Sequence, residues 1–130
     1  MDKLLIIIIA VASVYSYNEV RVKRKEESYK DNIISILNEA ERQCNIDKVN
    51  QRDKTTRYII SDNKITSNLY TNVKLPRYGE IVVSDDCRAV INTYSDDLCN
   101  ITIDGEVYIG RVKDNKCIVN DIKYDLPNVD

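Results

Sequence analysis

Histidine, tryptophan and phenylalanine are all absent from this chain, and glycine and proline together number only five. Each absence removes a class of chemistry. Without His there is no Ser/His/Asp set and no ordinary base for a nucleophilic cysteine. Zinc would have to bind without imidazole, and no Cys-x-x-Cys pair is present. Gly79, Gly105 and Gly110 are too few and too scattered to build a phosphate-cradling loop. Strong net charge is lacking too. A balance of −2 gives no reason to invoke nucleic acid. We therefore expect no enzyme, no cofactor, no metal and no small-molecule substrate.

The shortage of glycine and proline is also uneven. Neither residue occurs before Pro76, so nothing in the first third obliges a helix to stop. Residues 3–44 read as one long helix in three parts. The head, residues 4–17, has no charge, and Leu4, Leu5, Ile6, Ile7, Ile8, Ile9, Val11 and Val14 make it strongly apolar. A spanning helix usually needs ~20 such residues, so the run is short for an anchor. Tyr15 and Tyr17 suit a lipid–water interface. Two readings compete for residues 1–17. One is a retained membrane anchor, which the missing turn-formers favour. The other is a secretory signal cleaved after Ser13 or Ser16, where small residues stand as a signal peptidase requires.

The second part, residues 18–27, carries Arg21, Lys23, Arg24 and Lys25 beside Glu19, Glu26 and Glu27. Helical ion pairing accounts for most of this charge, and the basic cluster also suits contact with anionic headgroups. By the positive-inside rule alone, these cations would place the body of the chain in the cytoplasm. The third part is a stalk in which Tyr29, Ile33, Ile36, Leu37, Ala40 and Cys44 recur at three- and four-residue steps. That period draws one narrow apolar stripe. A stripe needs a partner, and the chain's own sheet is the nearest one.

Residues 45–56 read as a polar linker. From residue 57 onward the period changes to two. Short β-branched runs alternate with turn-forming pairs: Asp62-Asn63, Asp85-Asp86, Ser95-Asp96-Asp97, Asp104-Gly105 and Asp114-Asn115. Residues 57–130 thus form a small β-rich domain, and the fold class is α+β, with the helix laid on one face of an antiparallel sheet. Asp85, Asp86, Asp96, Asp97 and Asp104 supply oxygens of the kind calcium needs, but no EF-hand spacing is present, and turn chemistry explains them more simply. Asn100-Ile101-Thr102 is a glycosylation sequon, meaningful only in a eukaryotic or viral setting.

Three features resemble the type IV pilin and type II secretion pseudopilin superfamily in its Gram-positive forms. One is the order of parts: apolar helix, amphipathic helix, β-domain. Another is the stretch Lys25-Glu26-Glu27-Ser28-Tyr29-Lys30-Asp31-Asn32-Ile33-Ile34-Ser35-Ile36-Leu37-Asn38-Glu39-Ala40, which is similar to the emerging half of the pilin helix. The last is Pro76-Arg77-Tyr78-Gly79-Glu80-Ile81-Val82-Val83 with the later Cys87 and Cys99. The family's Gly before the cleavage site, the Phe or Met after it and the Glu five residues on are absent before Tyr17. The resemblance therefore implies neither prepilin-peptidase cleavage nor pairing of a Glu with a neighbour's amino terminus. It does imply a membrane-held, single-pass subunit with its β-domain outside the cytoplasm. Such a subunit assembles with itself or with other pilin-like chains through the N-terminal helix. The competing reading is a secreted, disulfide-containing binding protein.

Cys44, Cys87, Cys99 and Cys117 all come after the apolar head. An even count beyond a translocation signal reads as a disulfide framework with three possible connectivities. A symmetric hairpin about residues 95–97 would set Cys99 near Thr93 and Cys87 near Gly105, too distant for a direct bond, so a Cys87–Cys99 bond requires a wider loop in which these strands do not pair in that register. The alternatives are Cys99 with Cys117, or Cys44 tying the stalk to the sheet. Cys87 and Cys99 are expected to be oxidised in the mature protein. Non-reducing peptide mapping will show the linked pairs, and four free thiols in protein from the cell surface would overturn this expectation.

Overall fold

A computed structural model describes residues 2–53, 55–66, 69 and 71–129, with side chains in the helix described from residue 23. The helix α1 spans Asp2–Val49. Eight strands come after it: β1 (Arg57–Ser61), β2 (Lys64–Ile65), β3 (Tyr78–Val83), β4 (Ala89–Tyr94), β5 (Leu98–Ile103), β6 (Glu106–Lys113), β7 (Lys116–Val119) and β8 (Ile122–Asp125). They form one antiparallel sheet in the order β2-β1-β3-β4-β5-β6-β7-β8. The expected membrane segment, residues 4–17, lies outside the described side chains. Among the described residues no helix is long and apolar enough to cross a membrane.

The helix does not end at Cys44. It runs on to Val49, taking the first five residues of the expected linker. Its stop is a Schellman turn: the Arg52 amide donates to the Asp47 carbonyl at 2.8 Å and the Gln51 amide to the Lys48 carbonyl at 3.2 Å. Gln51 holds the left-handed position, φ 56°, that glycine usually fills. A helix end without glycine carries little sequence signal.

Ile33, Ile36, Ala40 and Cys44 are buried, at three- and four-residue steps, and Tyr29 and Leu37 pack at the margin. They face Tyr58 and Ile60 of β1, Ile81 and Val83 of β3, and Ala89 and Ile91 of β4. Within each of these strands alternate residues point at the helix, as the period of two requires.

Four turns hold two consecutive residues at positive φ: Asp62-Asn63, Asp104-Gly105, Asp114-Asn115 and Asn120-Asp121. These are the primed turns whose twist matches a hairpin, and Asn, Asp and Gly tolerate them best. The β3–β4 turn differs. β4 begins at Ala89 and not directly after the expected Asp85-Asp86 turn, because Cys87 itself sits at φ 61° in the turn. Its amide donates to the Ser84 carbonyl, while Ser84 and Arg88 close the loop.

The β4–β5 register is Tyr94↔Cys99 and Thr93↔Asn100, one residue from the symmetric hairpin expected. A one-residue shift exchanges the faces of a strand. Cys99 therefore points away from the helix while Cys87 points toward it. The bonds are Cys44–Cys87 and Cys99–Cys117, with Cα atoms 5.4 and 5.9 Å apart. Cys99 and Cys117 lie on β5 and β7, with β6 between them. In a flat sheet those strands would be ~10 Å apart. The sheet is thus sharply curled across β6. Gly110, opposite Cys99, marks the crease: a Cβ there would lie 2.3 Å from the Ile118 carbonyl oxygen. Inside the curl Cys99, Ile101, Cys117 and Val119 form a second small core, flanked by Tyr108, Tyr124 and Leu126.

A left-handed conformation costs a side-chain-bearing residue roughly 1–2 kcal/mol relative to glycine. With the disulfide removed in both, Cys44→Ala/Cys87→Gly should be more stable than Cys44→Ala/Cys87→Ala by about 1 kcal/mol in chemical denaturation. Equal stability would show that the turn relaxes out of the positive-φ region once the bond is gone.

Candidate interaction groove beside the helix

Besides the exposed Glu26–Arg111 pair with β6, a hydrogen bond and a disulfide tie the helix to the sheet near β4. Tyr29 reaches Thr93 at one end of β4, and Cys44 is bonded to Cys87 beyond the other. Tyr29 and Cys44 are about 22 Å apart along the helix, and Thr93 and Cys87 about 20 Å apart along the strand, so the two run side by side. The N-terminal part of the described helix consequently lies at the sheet end that carries the β4–β5 turn and the segment leading into β3.

A groove of about 550 Å³ opens there. Arg24, Lys25 and Ser28 form one wall and Lys74 with Ser95 and Asp97 the other. Leu75, Pro76 and Leu98 form an apolar floor, with the fully buried Ile33 behind it. Three cations stand against one carboxylate on a chain whose total charge is −2. Arg24, Lys25 and Lys74 are exposed, and none is paired with a carboxylate among the described residues. Nearby charges are already matched: Glu26 with Arg111 at 3.0 Å and Arg77 with Asp96 at 2.8 Å.

Tyr29 borders the groove and leads inward from it. Its hydroxyl lies 2.7 Å from Thr93 Oγ1, which donates to Asn100 Oδ1 at 2.5 Å, so the proton of that first contact is the tyrosine's. Asn100 Nδ2 donates to the Ile91 carbonyl at 2.8 Å. Burial pushes the Tyr29 phenol above its usual pKa; the hydrogen bond to Thr93 opposes this, and the charge of Asp97 adds to it.

The same network explains the sequon. Beyond Thr93↔Asn100 the β4–β5 ladder gives way to side chains. Thr102 Oγ1 donates to the Ile91 carbonyl at 2.7 Å, and the Thr102 amide donates to Asn92 Oδ1 at 3.0 Å. Asn100 is 1% exposed with its amide nitrogen engaged. In the folded protein it is a seam between two parts of the sheet and is closed to a glycosyl donor.

The stripe Tyr29, Ile33, Ile36, Leu37 and Ala40 lies in or against the first core, and all four cysteines are bonded. The acidic pairs do not gather. Asp85 and Asp86 are at one end of β4, Asp96 and Asp97 at the other, and no metal-holding group of three forms among the described residues. The groove itself was not legible in the sequence: Lys74 and Leu75 lie in a stretch without period. The basic cluster at Arg24 and Lys25 was the only local signal.

No protein-family model, curated protein or solved structure matches this chain.

Because the folded state keeps Tyr29 protonated above the ordinary phenol pKa of ~10, stability should fall as pH rises through and beyond 10, where only the unfolded chain loses that proton. Tyr29→Phe removes this share, so its denaturation midpoint should decline less steeply between about pH 9.5 and 11. At neutral pH the variant should lose roughly 0.5–1.5 kcal/mol, the worth of one hydrogen bond. An unchanged alkaline slope would show that Tyr29 does not carry this dependence.

Proposed function

We propose that this chain is a pilin-like or pseudopilin structural subunit. It is held in the cell membrane by its N-terminal helix, exposes its β-domain outside the cytoplasm, and assembles with like subunits through that helix. The observation that carries the reading is the continuity of the helix. It runs from Asp2 to Val49 as one element of 48 residues, ~72 Å long, whereas the longest strand of the sheet has 8 residues and spans ~26 Å. The helix is thus far longer than the strands it lies on. Two disulfides add support, since such bonds persist in oxidising compartments outside the cytoplasm. They also argue against the orientation that the charge rule alone would give.

The chemistry of the described residues suits a structural part better than a catalyst. With no histidine in the chain and no convergent carboxylates among the described residues, the groove holds cations over an apolar floor.

Fractionation of cells making the full chain tests the reading. The protein should pellet with membranes, resist extraction at alkaline pH, and lose its β-domain to protease added outside intact cells. Its amino terminus should retain residues 4–17. Removing residues 4–14 should release an oxidised, folded domain and abolish co-purification of further copies or pilin-like chains. Recovery from the medium with a start at Val14 or Tyr17 would instead establish the secreted, cleaved form.

A further inference from the structure

The groove beside the helix has an electrostatic character opposite to that of the chain as a whole. We propose that it is a binding site for the phosphodiester headgroup of an anionic membrane lipid, with Arg24, Lys25 and Lys74 holding the phosphate and Leu75, Pro76 and Leu98 lying against the headgroup glycerol on the outward side of that phosphate. The location of the site next to lipid rests on the membrane-anchored reading; its chemistry does not.

Two cations from the helix and one from a loop converge on one opening without ion-pair partners among the described residues. Arginine offers phosphate two parallel N–H donors and lysine a point charge. Ser28, Asn32 and Ser95 leave polar groups at the wall for the remaining oxygens. Asp97, the one acid of the lining, disfavours a ligand with extended negative charge and suits one with a single anionic centre.

A volume of about 550 Å³ falls in the range of small-molecule sites. Arg24 lies about two helical turns, or ~10 Å, beyond Tyr17. The headgroup layer extends roughly 5–8 Å beyond the hydrocarbon on each side. With residues 4–17 in the hydrocarbon, the backbone at Arg24 stands ~2–5 Å beyond that layer, a distance an arginine side chain leaning toward the helix N-terminus spans. The apolar floor then gives the lipid something an exposed basic patch lacks, a dry surface for its glycerol end. An acidic peptide would satisfy the cations equally well but has no evident use for that floor.

The test uses the full chain in alkyl maltoside micelles, with backbone amide NMR shifts as the readout. Dihexanoyl phosphatidylglycerol should give saturable shifts at Lys74, Leu75 and Leu98, and dihexanoyl phosphatidylcholine should not. Lys74→Glu, at an exposed loop position, should weaken binding at least about five-fold. Lys113→Glu, exposed on β6, should leave it unchanged. Equal shifts with both lipids, or no effect of Lys74→Glu, would overturn the proposal. So would inorganic phosphate binding as tightly as the lipid, which would mark a free-anion site. Tighter saturation by a polyglutamate peptide would mark an acidic protein partner instead. Flotation with neutral phosphatidylcholine vesicles, measured on the same variants, reports the anchor alone. Loss of flotation would count against the membrane reading, and loss of the glycerol-over-choline preference against the groove.

Discussion

Everything in this molecule depends on one narrow contact, the burial of Ile33, Ile36 and Ala40 against Ile60, Ile81 and Ile91. All six are fully buried. Burying an isoleucine contributes about 1.5–3 kcal/mol, so five of them supply on the order of 10 kcal/mol. That is the size of a whole domain's net stability. The helix cannot be moved along the sheet without uncovering this set. Its position in turn places Tyr29 beside Thr93, Cys44 beside Cys87, and the basic wall of Arg24 and Lys25 opposite Lys74. The groove is therefore a by-product of core packing: no residue in its rim needs to be ordered by a ligand.

The two halves of the sheet are built on different terms. From β1 to β4 the sheet shares one core with the helix, which also reaches β6 through Val107 and the Glu26–Arg111 pair. From β5 to β8 it curls on itself, and a disulfide with a few tyrosines fills the small space inside. Where these regimes meet, the backbone ladder is short, and Asn92, Asn100 and Thr102 supply hydrogen bonds that strands normally make for themselves. Buried amide and hydroxyl groups are costly unless every one is paired. Among the described residues none is left without a partner. The seam is thus a place where little substitution is tolerated, although its sequence reads as ordinary strand.

The α+β class, the helical stripe and three of the primed turns were legible because each rests on a local rule. Periodicity shows which face is buried, and Asp-Asn, Asp-Gly and Asp-Asn pairs fit turns at positive φ. What escaped was set by tertiary structure. Gln51 ends the helix where no glycine announces it. Cys87 occupies a turn position that its neighbours alone would leave to glycine. The β4–β5 register differs by one residue from a symmetric hairpin, which decides the partner of Cys99. Curling across Gly110 brings β5 and β7 together, and a sequence does not display curvature. The groove needs two loops and a helix in one place, so only the Arg24 and Lys25 wall left a trace.

Beyond the exposed Glu26–Arg111 pair, the helix is fastened to the sheet by a hydrogen bond and a covalent bond about 22 Å apart along its axis. Such fastening has a mechanical meaning. A pull on the amino-terminal end of the helix, along its axis, loads the interface in shear, so that every buried side chain resists at once and none can peel away singly. The disulfide lies at the far end of that load path. Force that slips the helix past Tyr29 still meets a covalent stop at Cys44 before the helix can be drawn off the sheet.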